Sequence, residues 1–245
     1  LAAVANSYEI ILIFLAFAVG CNTGCSVNVA RYFGGKQYGG VRTAITTSLI
    51  ATAAVCALLT GGGVILTAPL LRLIRTPKGI FADSITYLRI YAAGLPFMFL
   101  YNIANGIFSA LGDSRTPFCF LALSSTANIA LDILFVSQFH MGVAGVGWAT
   151  FLCQGAACVP VAVVVRKKIR KLPMEKASVL TKRSLQEFVF VAVPSMSQQA
   201  VIVMGNMVIQ GVVNTYGASV TAGYAVAVKL INLSTAFFGT IGNGV

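Results

Sequence analysis

The sequence predicts an all-α polytopic membrane protein, and three observations carry that reading. Of its 245 residues 58% are hydrophobic and only 9% are charged, against about 25% charged in a soluble domain. The mean hydropathy is +0.87. The apolar runs exceed the roughly 18 to 20 residues that cross a bilayer. A chain so composed cannot cover itself with a water-compatible surface.

Seven helices account for nearly all of it. The first runs from about residue 3 to 32 and is followed by Gly34-Gly35 and Gly39-Gly40. The second, about 42–72, stops before Pro77, and the third, about 82–111, before the stretch Gly112 to Pro117. The fourth covers about 117–139 and ends ahead of Gly142, and the fifth, about 143–166, ahead of Pro173. The sixth, about 185–215, ends before Gly217, and the seventh runs from about 219 to the end. Pro96, Pro160 and Pro194 fall inside helices, where they kink the rod and free backbone carbonyls.

The formal net charge of +11 sits at the ends of apolar runs rather than on one face, so nucleic acid is not an expected partner. The first, third and fifth connections hold Arg31, Lys36, Arg42, Arg115 and a basic cluster from Arg166 to Arg183, while the even connections hold only Arg72, Arg75 and Lys78. Positively charged loops stay inside. The long polar stretch "RKKIRKLPMEKASVLTKR" (166–183) is therefore a cytoplasmic loop, 167–184, and it divides the chain into 1–166 and 185–245. Arg89 and Lys229 lie within helices, near enough to an end to snorkel. Cys21, Cys25, Cys56, Cys119, Cys153 and Cys158 all fall in apolar runs without zinc or disulfide spacing, and read as small packing residues. Residues 1–10, LAAVANSYEI, carry no basic n-region, so no signal peptide is expected.

A shift of 220 residues lays Ala2, Ala5, Ala16, Phe17 and Gly24 on Ala222, Ala225, Ala236, Phe237 and Gly244. Helices one and seven would then run the same way through the membrane, as in a parallel repeat of six. That predicts an internal piece, helices two to eight of twelve, with one helix expected upstream and four downstream.

Several stretches fit one family. "GCNTGCSVNVARYFGGKQ" (20–37), "SALGDSRTP" (109–117), "NIALD" (128–132), "GVAGVGWAT" (142–150) and "AVPSMSQQ" (192–199) together resemble the multidrug and toxic compound extrusion (MATE) transporters. The resemblance spans the whole chain in order. It implies a two-lobe bundle of twelve helices with seven present, 1–166 forming the first lobe without its first helix and 185–245 opening the second. It also implies cation-driven export of organic, often cationic, compounds.

One residue stands out on its own terms. Asp132 lies about 22 Å along its helix from Pro117, at ~1.5 Å per residue. A charged Asp at the centre of an inserted helix costs roughly 2.5 to 3.5 kcal/mol. It must face protein or a watery cavity, and intramembrane acids mark function more often than packing. Ser124, Asn128 and Asp132 form one stripe at intervals of four, and Thr150 with Gln154 another on the next helix. Asn102, Asn105 and Ser109, and Gln199, Asn206, Gln210 and Asn214, make further polar faces, which serve as a substrate path or as interhelical glue. A carboxyl group held between water and lipid can take up and release protons, or offer oxygens to Na⁺. The resemblance places Asn128, Asp132 and Thr150 in the first-lobe cation pocket, whose partner Asp belongs to a helix outside this chain. A coupling set of Asp132, Asn128, Thr150 and Gln154 follows, with Na⁺ as the alternative ion at the first three.

Asp83, Asp113, Glu175 and Glu187 occupy helix ends or loops, where solvation explains them. His140 belongs to a short outer loop, and Glu9 either snorkels or faces the cleft. No nucleophilic triad, metal cluster or phosphate-binding glycine loop appears, so neither an enzyme nor a cofactor beyond the coupling ion is expected. The reading is a monomeric, multi-pass antiporter of a bacterial inner membrane. Two rivals stay open. A flippase for lipid-linked saccharides would need several cations in the cleft, where only Arg89 and Lys229 qualify. A scaffold would tolerate loss of Asp132.

Overall fold

The computed structural model describes residues 2–73, 76, 78–173, 175 and 177–214, with Tyr224, Ala227, Val228, Leu230 and Ile231 beyond them. The seventh predicted helix and the second copy of the repeat fall, those five positions apart, outside the described residues. Compact packing divides the chain into Leu1–Ala200 and Val201–Val245. The described α-helices are α1 (Ala2–Gly34), α2 (Tyr38–Leu73), α3 (Lys78–Ala110), α4 (Arg115–Ile133), α5 (Gly142–Lys171) and α6 (Lys182–Asn214). Each contains a stretch long and apolar enough to cross a membrane. A π-helical turn, Leu134–Gln138, extends α4 and closes with Phe139 N–H donating to the Leu134 carbonyl at 3.3 Å.

Lipid offers the backbone no hydrogen bonds, so spanning segments satisfy their own as helices. Their apolar residues then divide between neighbours and lipid. α3 packs against α1, α2 and α5 and buries Leu88, Leu95, Phe99, Ile103, Ile107 and Phe108. Leu58, Ile65 and Phe190 instead lie more than three-quarters exposed, as lipid-facing side chains do. Close approach needs small residues. A side chain at Gly106 would meet the Asn22 side chain and backbone, which is how α3 reaches α1. On α1, Gly20 and Gly24, four apart, face α6. A Cβ at Gly20 would lie 2.8 Å from the Met196 nitrogen, and one at Gly24 2.7 Å from the Ala192 Cβ.

The helix boundaries depart from the sequence reading in three places. α2 begins at Tyr38, so Gly39 and Gly40 form its first turn instead of ending α1. Gly40 is needed there because the Tyr32 ring lies where its Cβ would project, 2.5 Å away. α5 continues through Lys171, five residues past its expected end, so the predicted loop 167–184 begins and ends in helix. Basic residues stabilise the last turn of a helix through its dipole, and Arg42 adds to this. Its Nη2 donates to the carbonyls of Ile169 at 3.2 Å and Leu172 at 2.9 Å, two of the acceptors a helix end leaves open. α3 starts at Lys78, four residues early.

The same end of the molecule holds three of the four acids that solvation was expected to explain, whereas Asp83 is exposed near the start of α3. Glu175 Oε2 accepts from the Gly39 N–H at 2.6 Å. Glu187 accepts from Tyr32 Oη at 2.7 Å and pairs with Arg31 at 2.7 Å and Arg183 at 3.2 Å. Ser178 N–H donates to Thr43 Oγ1 at 3.0 Å. The linker after α5 is therefore fastened to the α1–α2 turn. Its partners are far apart in sequence, which is why composition alone left these carboxylates to solvent. The six cysteines are free thiols, and all but Cys119 are buried, as packing residues should be.

Candidate functional site

α4 and α5 form an antiparallel hairpin, closed by a turn in which His140 and Gly142 take φ of 53° and 57°. His140 is exposed, as expected of this loop. Reversing the chain there sets residue 128 against 150 and residue 124 against 153. Asn128 Nδ2 accordingly lies 3.5 Å from Thr150 Oγ1, and Ser124 Oγ reaches the Cys153 carbonyl at 3.5 Å. Thr150 also donates to the Val146 carbonyl at 3.0 Å, so its oxygen lone pairs remain to face Asn128.

Beside this seam is a cavity of about 290 Å³ lined by α3, α4 and α5, with Ser124, Asn128, Thr150 and Gln154 among its walls. The two predicted polar stripes converge there. Met98 and Tyr101 of α3 close the opposite side. Tyr101 Oη donates to the Pro117 carbonyl at 3.0 Å, which fixes the start of α4 against α3. Edge-to-face rings, Trp148 on Phe151 and Phe151 on Phe97 at 5.4 and 5.1 Å between centroids, hold α5 to α3 below.

Asp132 lies one turn beyond Asn128 on α4. It is half-buried, and its Oδ1 is a buried oxygen with no hydrogen-bond partner among the described residues. Buried polar atoms are nearly always paired, and an orphaned carboxylate oxygen is an acceptor held open. A proton or a small cation, with Asn128 and Thr150 one turn away, is the chemistry it can receive. Among the described residues, no group of three or more His, Cys, Asp or Glu side chains is arranged to hold a metal ion.

Comparison with known proteins decides the family. The MatE family model matches residues 1–134, more than half of the chain. The chain belongs to the MatE family. A MatE relative, the probable multidrug resistance protein YpnP of Bacillus subtilis (strain 168), is 32% identical over 241 residues, covering 96% of this chain and 53% of its own length. The probable multidrug resistance protein YoeA of the same organism is 29% identical over 92% of this chain and 50% of its own. A MOP superfamily transporter from Pyrococcus furiosus superposes with a TM-score of 0.86 at 24% identity, over 95% of this chain and 52% of that one. The chain thus spans about half the length of the relatives it matches. It is a helical membrane chain of the MatE family and shares the fold of these solved neighbours.

Within this MatE chain the site residues expected from sequence separate into two groups. Asn128, Thr150 and Gln154 come together at the cavity, with Asp132 next to them. The expected substrate-path residues do not join them. Asn102 donates to the Met98 carbonyl of its own helix at 2.9 Å. Asn105 and Gln199 are half-buried on α3 and α6, and Asn206 is exposed. The Gln210 side chain lies outside the described residues, as does that of Glu9. Sequence reasoning passed over Met98, Tyr101 and Cys153. The available signal was the tyrosines of α3, since a tyrosine between membrane helices needs somewhere to place its hydroxyl.

Proposed function

We propose that the intact protein is a cation-coupled antiporter that exports organic, often cationic, compounds by alternating access. The observation that carries this reading is the unpartnered buried oxygen of Asp132, one turn from the Asn128–Thr150 contact and the cavity beside it. In this reading Asp132 takes up H⁺, or Na⁺ with oxygens from Asn128 and Thr150, from outside. Occupancy favours the conformation that releases substrate outward, and return of the cation inside resets the cycle. Gln154 lends the cavity a further amide, while Asn102, Asn105, Gln199, Asn206 and Gln210 provide polar footholds along the path. One charge moving through 100 mV supplies about 2.3 kcal/mol, enough for roughly fifty-fold accumulation per ion. The protein works as a monomer in the cell membrane, with its Lys- and Arg-rich end in the cytoplasm and 185–245 opening a second lobe.

The test uses the full-length protein in proteoliposomes with an imposed proton or sodium gradient and ethidium as the reporter. Asp132→Asn should insert normally and lose gradient-driven ethidium transport. Unchanged transport would remove Asp132 from the coupling step and restore the scaffold reading of its neighbourhood.

A further inference from the structure

A second concave surface lies away from the Asp132 cavity. It is a shallow groove of about 380 Å³ between α3 and α5, walled by Phe97 and Leu100 on one side and by Gly155, Val159, Val163 and Arg166 on the other. Its α5 wall is a single stripe: 155, 159, 163 and 166 recur at helical spacing. Gly155 leaves room for the Phe97 ring, which a Cβ there would meet at 3.2 Å. Val159 and Val163 stand 67% and 45% exposed, so the groove opens outward. Every lining residue but one is apolar or small, and the exception is a guanidinium at one end.

The position of that guanidinium matters. Arg166 is 24 residues beyond Gly142, where α5 begins, a rise of about 36 Å at 1.5 Å per residue. The hydrocarbon core is only about 30 Å thick, so a helix entering at Gly142 delivers Arg166 to headgroup level. Lys167 and Arg170 stand beside it. Lys168, on the opposite face, is occupied by Asp113 and the Phe108 ring, and Arg42 pins the helix end. Arg166, Lys167 and Arg170 are exposed and enter no ion pair among the described residues. Arg166 and Arg170 are also like charges at i and i+4, which repel. The helix dipole explains cations at this terminus but not an apolar trough that runs up to one of them.

We propose that this groove binds an anionic phospholipid, with an acyl chain along Phe97, Leu100, Val159 and Val163 and the phosphate on Arg166. The guanidinium fork suits phosphate oxygens, Arg170 and Lys167 add charge, and basic pockets between membrane helices are known to take lipid headgroups. This stands apart from the transport reading and concerns what steadies the α3–α5 seam.

The test is the thermal unfolding midpoint of the full-length protein in detergent, with dioleoyl phosphatidylglycerol or dioleoyl phosphatidylcholine added, and native mass spectrometry to count retained lipid. Phosphatidylglycerol should raise the midpoint several degrees more than phosphatidylcholine. Arg166→Gln should lose at least half of that difference. Ala162 also lines the groove on α5, so Ala162→Phe, which fills it, should lower the phosphatidylglycerol count, whereas Lys36→Gln, a basic residue at the α1–α2 turn, should change neither. Equal effects of the two lipids would overturn the site, as would a loss in Lys36→Gln matching that in Arg166→Gln. A full shift from glycerol 3-phosphate alone would reduce it to an anion contact. If Ala162→Phe fails to fold, the exposed Arg166→Gln still decides.

Discussion

Two aspartates stand at opposite ends of the same helix, and their surroundings could hardly differ more. Asp113 stands just before α4, where its Oδ1 accepts the Thr116 N–H at 3.0 Å, its Oδ2 accepts the Thr116 hydroxyl at 2.6 Å, and Lys168 pairs with it. Asp132 stands near the far end of α4, and its Oδ1 is buried without a partner. Asp113 has its lone pairs spent on a cap, an ion pair and a hydroxyl. That set holds α3, α4 and α5 together at the basic end. Asp132 keeps an acceptor in reserve where an unpaired acceptor is costly. In the proposed cycle that acceptor is the place a cation fills and leaves.

The largest effect expected is at the unpaired member. Asp132→Asn in the full-length protein should lower gradient-driven ethidium efflux on the order of tenfold or more, the loss expected of a group the cycle cannot do without. Insertion and unfolding midpoint should stay near wild type. A variant that unfolds early would show that Asp132 is structural, like its counterpart. Next come the neighbours. Thr150→Val or Asn128→Ala removes one hydrogen-bonding partner worth about 1 kcal/mol. Each should raise the cation concentration for half-maximal transport about fivefold, read from efflux against external pH or Na⁺.

The reverse pattern belongs to Asp113. Asp113→Ala removes a helix cap and a half-buried ion pair, together about 1 to 2 kcal/mol, seen as a lower unfolding midpoint with coupling intact. The smallest effect is its pH dependence. Hydrogen bonding from Lys168 first, then Thr116, holds the Asp113 carboxyl well below the usual carboxylate range. A depressed acid stabilises the fold above its unfolded pKa, about 3.9, and loses that contribution as pH falls through the lower folded value. The midpoint of wild type minus Asp113→Ala should therefore stay constant from neutral pH to about 5 and shrink only in stronger acid. A difference that changes near neutrality would mean that some other group governs this corner.

Much of this contrast was legible in the sequence, and the illegible part has a physical cause. The described helices, the punctuation at Gly112 and Gly142 and the oddity of an Asp inside "NIALD" are local features, and one-dimensional periodicity reports them. The convergence of Ser124, Asn128, Thr150 and Gln154 was also readable, because a short turn forces α4 and α5 antiparallel. Asp113 and Glu187, read as solvated, are paired, and Glu175, exposed as expected, also accepts a backbone N–H. Their partners, Lys168, the Gly39 N–H and the Arg31–Tyr32 pair, lie 55 to 156 residues away in the chain. Tyr101 escaped for the same reason, since its acceptor is the Pro117 carbonyl across the α3–α4 turn. Asn102 donates to the Met98 carbonyl of its own helix, a local pairing that a one-dimensional polar stripe does not report.

The π-helical turn at Leu134–Gln138 has a further consequence for Asp132. A wide turn holds one residue more than a regular helix needs over the same rise, and a single residue is worth about 100° of rotation. The exit of the chain toward α5 is therefore out of phase with the face that carries Ser124, Asn128 and Asp132. Taking one residue out of 134–138 would let the helix wind regularly, yet would aim the hairpin about a quarter-turn astray and draw Thr150 away from Asn128. In this stretch the residue count, more than the identity of any side chain, sets the alignment of the two helices.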